Sequence, residues 1–283
     1  MNATPKRTFR NVNNRFFITI LYIILGLIVV AWLFPVIWMV LTSLKTQVQT
    51  FQIPPVWFFN PVTDHYRDIF SVGHIEGNFK NSLIISTSAT VISLVVGSFA
   101  AFALSRFRLK RRDDIAFWLL STRMFPPIAS AIPLYLLLRR FQMLDTHIGL
   151  IIVYQALNLG FVVWMMRGFF SELPIELEES AQIDGCSRYG SFFRITIPLS
   201  TPGLAATGVL TFIFTWNEFL FALLFTGRNA KTMPIVLAGF ITETGIRWGA
   251  LTASAVLTAL PTVILALFAQ RYIIRGLTLG AIK

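Results

Sequence analysis

Apolar residues run through this chain in six long blocks, at about 17–41, 82–104, 115–137, 148–168, 203–226 and 250–270. Each approaches or exceeds the roughly 20 residues that an α-helix needs to cross a hydrocarbon layer about 30 Å thick. The pattern predicts an all-α membrane protein with six transmembrane helices. The first block follows Lys6, Arg7, Arg10 and Arg15 and so starts like an export signal. It then continues from Phe16 to about Leu44 without a small-residue cleavage site. Export signals have apolar cores of only about 7–15 residues, so this block reads as an uncleaved span. Residues 1–16 form a short polar segment, and 17–283 form one membrane domain.

The polar connections differ in kind. "QTFQIPPVWFFNPVTDHYRDIF" combines prolines with clustered aromatic rings, which suits the headgroup boundary. "RFRLKRRDD" is a tight basic turn, and residues 169–201 form a longer connection. "GRNAKTMPIVLAGFITETGIRWG", 227–249, has an apolar core of only about seven residues, too short to cross. It reads as a loop or a re-entrant segment. No internal repeat of the kind common in secondary transporters is visible.

Composition supports lipid as the main solvent: 55% of the 283 residues are hydrophobic and 13% charged, against about 25% charged in soluble domains. The net charge of +11 comes from short basic clusters between spans and forms no continuous stripe, which argues against nucleic acid as a partner. Basic residues set orientation instead. With both termini inside, the inner segments hold Lys6, Arg7, Arg10, Arg15, Arg106, Arg108, Lys110, Arg111, Arg112, Arg167, Arg188, Arg194, Arg271, Arg275 and Lys283, fifteen in all. The outer ones hold Lys45, Arg67, Lys80, Arg139, Arg140, Arg228, Lys231 and Arg247, which is eight. N-in/C-in is therefore the expected topology, with Arg139–Arg140 a local violation. Cys186 is the single cysteine, so no internal disulfide forms; no metal site and no cofactor are expected.

The 169–201 connection carries "LEESAQIDG", with Glu178, Glu179 and Asp184 in nine residues. Pro174 suits a first helical turn, and Glu176, Glu178 and Glu179 suit the positive end of the helix dipole. Gly185 is placed to end the helix in the left-handed conformation. Ser187 can cap a second short helix, on which Tyr189, Phe192 and Phe193 are spaced to share one face. The expected product is a protruding helix–turn–helix knob on the cytoplasmic side. Its exposed rings have no core of their own to fill, small Ala181 and Gly190 permit close approach, and Glu179 is free to meet a basic partner. A merely solvated amphipathic loop is the plainer alternative.

"EESAQIDGCSRYGSFFRITIPLSTPGL" resembles the EAA loop of ABC importer permeases, E-A-A-x-x-x-G followed by hydrophobic and P-G-L elements. The match falls on Glu179, Ser180, Ala181, Asp184, Gly185, Phe193, Ile197, Pro198, Leu199, Pro202, Gly203 and Leu204, with Ser180 replacing the first alanine. The resemblance implies that Glu178, Glu179, Ser180, Ala181, Asp184, Gly185, Tyr189, Phe192 and Phe193 form coupling helices. These would dock in a groove of a separate ATP-hydrolysing subunit, with the glutamate facing a basic residue there. The chain has no G-x-x-x-x-G-K-[ST] loop with which to cradle phosphates, nor a zinc-protease motif or nucleophile elbow, so it is not expected to be an enzyme.

Ionisable residues at membrane depth are costly and become functional candidates. Arg123 lies beside the helix-breaking pair Pro126–Pro127, and Glu218 lies in "TWNEFLFALL" beside Trp216 and Asn217. One reading is a hydrophilic passage in which a polar solute meets Asn217 and Glu218 and stacks on Trp216. The other is structural, with Arg123 and Glu218 neutralising each other or Glu218 bonded within the bundle. Gln155 and Asn158 read chiefly as interhelical glue.

The six-span order, "TWNEFLFALL", the "WG" before the last span and "ALPTVILALFAQRYIIRGLTLGAIK" are similar to the shorter subunit of maltose-type carbohydrate importer permeases. That resemblance implies a bacterial inner-membrane location and a heterodimer with a second permease. It also implies two ATP-binding subunits and an extracytoplasmic solute-binding protein. The solute is then a sugar or sugar-like compound. Polyols, glycerol-phosphate esters, sulfonated sugars and polyamines remain alternatives within the family. A stand-alone secondary transporter would instead require a coupling-ion site with several buried carboxylates.

Overall fold

A computed structural model describes residues 11–71, 75–243 and 245–279. Lys6, Arg7, Arg10 and Lys283 of the charge count lie outside them. Among the described residues, four uninterrupted helices are long and apolar enough to cross a membrane, α1 (Asn11–Ser43), α4 (Ile75–Arg106), α7 (His147–Glu172) and α14 (Trp248–Leu279). They cover the first, second, fourth and sixth apolar blocks and run beyond them. Pro35 and Pro261 sit inside α1 and α14 without ending them. Bundle neighbours and local adjustment re-satisfy the backbone groups that a proline frees in a membrane helix.

The third and fifth blocks are not straight spans. Between Arg112–Met124 and Pro127–Arg140 the chain turns by 92°. The first half is α5 (Arg112–Ser121) plus one 3₁₀ turn, and the second is α6 (Pro127–Arg140). Pro126 takes an extended ψ of 119°, and Pro127 enters α6 in its first turn, where a missing N–H costs nothing. The fifth block is α11 (Thr201–Trp216), a break at 217–219, and α12 (Leu220–Phe225). No proline or glycine marks that second break, and the sequence reading ran straight through it.

Side-chain size decides how the bundle closes. Along α4 the buried positions include Ser82, Ser86, Ala89, Thr90, Ser93, Gly97, Ser98 and Ala101, a stripe of small residues against α7. Lipid tails are as apolar as leucine, so membrane helices associate through close van der Waals fit rather than through the hydrophobic effect. Gly97 shows the tolerance: a Cβ there would sit 2.5 Å from Val162 Cγ1. Helices α11 and α14 complete the packed group, while α1 rests along α14 and leaves its outer surface uncovered. Inner aromatic packing joins Phe102, Phe170 and Phe192, with ring centroids 4.7–6.2 Å apart.

The remaining connections are short helices and turns, α2 (Gln47–Phe51) and α3 (Asp64–Ser71) between the first two spans. Residues 227–249 do not cross: they form α13 (Met233–Ala238) and a small hairpin of β1 (Ile241–Thr242) and β2 (Gly245–Ile246). Asp145 pins the start of this segment. Its carboxylate accepts from the backbone N–H groups of Gly227, Arg228, Asn229 and Ala230 at 2.9–3.1 Å. Asn81 adds donations to the carbonyls of Asn229 and Lys231, and its own carbonyl oxygen pairs with His147 Nε2 at 2.7 Å.

Candidate functional site: the α8 loop and the helix breaks

After α7 the chain makes α8 (Glu176–Ile183). Pro174 precedes this helix rather than occupying its first turn; its carbonyl accepts from Leu177 N–H. The helix ends where Gly185 was expected to end it, at φ +92°. Gly185 N–H donates to Gln182 O and Cys186 N–H to Ala181 O, a Schellman pair that satisfies the last carbonyls. Ser187 Oγ then accepts from Gly190 N–H and caps α9 (Arg188–Ser191).

Tertiary packing redistributes the roles expected of the neighbouring acids and rings. Glu178 is buried and faces the bundle. One of its oxygens accepts from Arg106 Nε at 2.8 Å and from Thr196 Oγ1 at 2.9 Å. Arg106 also donates to Leu173 O at 3.0 Å. Glu179, one residue on, is exposed and makes no ion pair among the described residues. Phe192 does not share an open face with Tyr189 and Phe193 either. It is 2% exposed in the inner aromatic cluster, whereas Tyr189 is 75% and Phe193 56% exposed. A π-helical stretch, Phe192–Thr196, rotates the register here; α10 (Ile197–Leu199) follows, and the chain bends by 75° into α11.

The open side of the knob thus carries Glu179, Ser180, Asp184 and Tyr189, with Ala181 partly covered. Sequence reasoning missed Ile183, a bare aliphatic side chain 86% exposed. Its signal was available: an isoleucine facing away from the apolar edge of so short a helix has nothing of its own to cover. Arg106 and Thr196 were also missed, because their partnership with Glu178 spans 72 and 18 residues.

The polar residues expected at membrane depth form two separate arrangements. Arg123 lies over Phe214 and Phe161, with its guanidinium carbon 4.2 and 4.8 Å from the ring centroids. This is cation–π geometry, and Arg123 Nη1 is buried with no hydrogen-bond partner among the described residues. Glu218 does not neutralise it. The Glu218 carboxylate accepts from Tyr154 OH at 2.9 Å and from Phe221 and Ala222 N–H at 3.0 and 3.1 Å. It therefore satisfies the donors that the helix break would otherwise leave bare in hydrocarbon. Asn217 is exposed and returns its Nδ2 to Ile213 O.

Trp216 is 1% exposed, stacks on Phe212 and donates Nε1–H to Thr258 O at 2.9 Å. It is packed into the core, so stacking of a solute on Trp216 is not available in this conformation. Asn158 is buried too, donating within α7 to Tyr154 O and at 3.5 Å to Thr215 Oγ1 of α11, and Gln155 Oε1 accepts from Ser93 Oγ of α4. Gly160 permits the close approach of α5 to α7: a Cβ there would lie 2.1 Å from the carbonyl oxygen of Leu119. That contact brings the end of α5 backbone-to-backbone onto α7.

Comparison with known proteins agrees with this architecture. Residues 93–279 match the family described as "binding-protein-dependent transport system inner membrane component". The trehalose/maltose transport system permease protein MalG of Thermococcus litoralis is 38% identical over 267 residues, covering 92% of this chain and 96% of its own. The diacetylchitobiose uptake system permease protein DasC of Streptomyces coelicolor is 35% identical over 268 residues, covering 94% and 95%. A probable ABC transporter permease protein of Sinorhizobium fredii is 39% identical over 252 residues, covering 89% and 91%. Among solved structures, a bacterial ABC transporter that imports the acidic polysaccharide alginate superposes with a TM-score of 0.76 at 24% identity, covering 95% and 99%. The broken third and fifth helices, the α8 loop between the fourth and fifth and these likenesses converge: the chain belongs to the inner-membrane permease family of binding-protein-dependent ABC transport systems.

Proposed function

We infer that this chain forms half of the translocation path of an ABC importer for a sugar or sugar-like solute. A second permease completes the path, two ATP-binding subunits drive it, and an extracytoplasmic binding protein delivers the solute. Both termini and the α8 loop lie on the cytoplasmic side, in keeping with the fifteen basic residues assigned there. ATP is hydrolysed on the partner subunits, since this chain carries no phosphate-cradling loop. The sugar assignment draws on the named substrates of the relatives.

One observation carries the reading. The α8 knob leaves the Glu179 carboxylate exposed and without an ion pair among the described residues, and Ile183, one helical turn on, and Tyr189 of α9 are exposed as well. Exposed apolar side chains on the same short segment as an exposed charge suit a docking surface. Glu179→Lys would reverse the sign of this charge without touching the buried Glu178. The measurement is ATPase activity in the proteoliposome-reconstituted importer, with and without loaded binding protein. The variant is expected to assemble as a permease pair and lose stimulation; full stimulation would refute the docking role.

A second reading concerns the solute. Arg123 places a guanidinium on the turn between α5 and α6, over Phe214 of α11. Such a group favours solutes with hydroxyl clusters or an anionic substituent, such as glycerol-phosphate esters or sulfonated sugars. It disfavours polyamines by like-charge repulsion.

A further inference from the structure

We propose that Glu178 is a positioning residue: its buried pair with Arg106 is the link through which displacement of the α8 knob reaches α4, and so the α4–α7 pair. The proposal rests on the reading of the α8 loop as the coupling joint, and it assigns the two adjacent glutamates different tasks. Glu179 faces outward to a partner, while Glu178 faces inward and carries the motion on.

The geometry gathers four segments at one carboxylate. Arg106 is the last residue of α4, and its Nε donates to Glu178 Oε1 at 2.8 Å. Its Nη2 donates to Leu173 O just beyond the end of α7. Thr196, at the end of the π-helical stretch, donates to the same Glu178 oxygen at 2.9 Å. Glu178 itself lies in the first turn of α8. Both charged side chains are shielded, at 10% and 6% exposure. The knob is otherwise tethered by the short connections 173–175 and 184–187, and it packs on α9 and the π stretch.

A buried ion pair suits this task better than simple adhesion. Apolar residues of similar volume often hold such a place equally well, so the pair adds little net stability. Pulling the two charges apart, however, strands each in a low-dielectric setting, a steep penalty for any relative slip. A link with that property keeps α8 and α4 in register while both move. The direction of travel follows from packing, since α4 lies along α7 for much of its length. The π stretch, which the same carboxylate grips through Thr196, adjoins the 75° bend into α11. One node therefore addresses both arms of the bundle.

The test uses the intact importer, purified with its permease and ATP-binding partners, and ATP plus vanadate as the only probe. Hydrogen exchange is followed in two peptides, 176–187 over the knob and 97–106 at the end of α4. In the unaltered complex, nucleotide is expected to change exchange in both. In the volume-conserving double variant Arg106→Met with Glu178→Leu, the change over 176–187 should persist. The change over 97–106 should fall by roughly 5- to 150-fold, the usual span of intersite coupling. Glu178→Gln, which keeps the side chain's shape, should show the same split. An unaltered response over 97–106 in both variants would overturn the role of the pair and leave the docking reading intact. Loss of response over 176–187 in the unaltered complex would instead overturn the docking reading, and this proposal with it.

Discussion

Asp145 offers a measurable test of how the connecting loops are held. Its side chain is half-buried, and its two oxygens accept from four consecutive backbone N–H groups, Gly227 to Ala230. Burial alone would raise the Asp145 pKa; the four N–H donors outweigh it and hold the carboxyl below its ordinary value. Asp145→Ala frees all four donors, but Gly227, Arg228 and Asn229 are exposed and can turn to water. Ala230 is 1% exposed and cannot do so readily. The net loss is therefore close to that of one hydrogen bond to a charged group, about 1.5–3 kcal/mol, and not four times that. At 1.4 kcal/mol per decade, local opening of 227–230 becomes roughly 10- to 150-fold more frequent. Amide exchange of the 225–233 peptide at pH 7, compared with the unaltered protein, reads this directly. The sign with pH is fixed: a depressed carboxyl pKa gives stability that is present above the unfolded value near 3.8 and lost as pH falls through the folded value. The variant and the unaltered protein should accordingly converge in acid. Equal exchange at pH 7 would refute the pinning role, and a gap persisting at full protonation would refute its electrostatic origin.

The helix bend and the helix break provide two further tests. Gly160→Ala places a Cβ 2.1 Å from the Leu119 carbonyl oxygen; backbone cannot yield as a flexible side chain does, so a loss of about 1–3 kcal/mol is expected, read as a lower unfolding midpoint in detergent. An unchanged midpoint would show that α5 and α7 do not meet at this residue. Glu218→Ala removes the acceptor for Tyr154 OH and for two N–H groups of α12. Thermal stability should fall along with uptake, whereas Glu218→Gln, which retains one acceptor oxygen, should recover part of both. Loss of uptake at full stability would instead favour direct solute contact.

Much of the fold was legible because hydrocarbon imposes a length rule that soluble folds lack. Six apolar blocks, a proline pair at 126–127, Gly185 as a helix stop and Ser187 as a cap are local facts, decided by chain length, ring closure and φ. The knob between the fourth and fifth blocks follows from them. Partnership was not legible. In a lipid-facing helix the apolar pattern is nearly uniform around the axis, because lipid and protein core are equally apolar neighbours. The faces of α4 are told apart only by residue size, as its serine, alanine and glycine stripe shows.

The break at 217–219 escaped notice for a related reason. It is stabilised by a carboxylate and an amide returning to the backbone, with no proline or glycine to announce it. What the amino-acid order determined by itself, then, was where helices begin, bend at proline and stop. Only the tertiary structure decided that Glu178 turns inward to Arg106 while Glu179 stays in water, that Trp216 and Phe192 fill the core, and that Arg123 rests on two phenyl faces. Adjacent residues on a helix point about 100° apart. Which of two neighbouring acids is buried therefore depends on the bodies packed around the helix, and these come from segments up to 72 residues away.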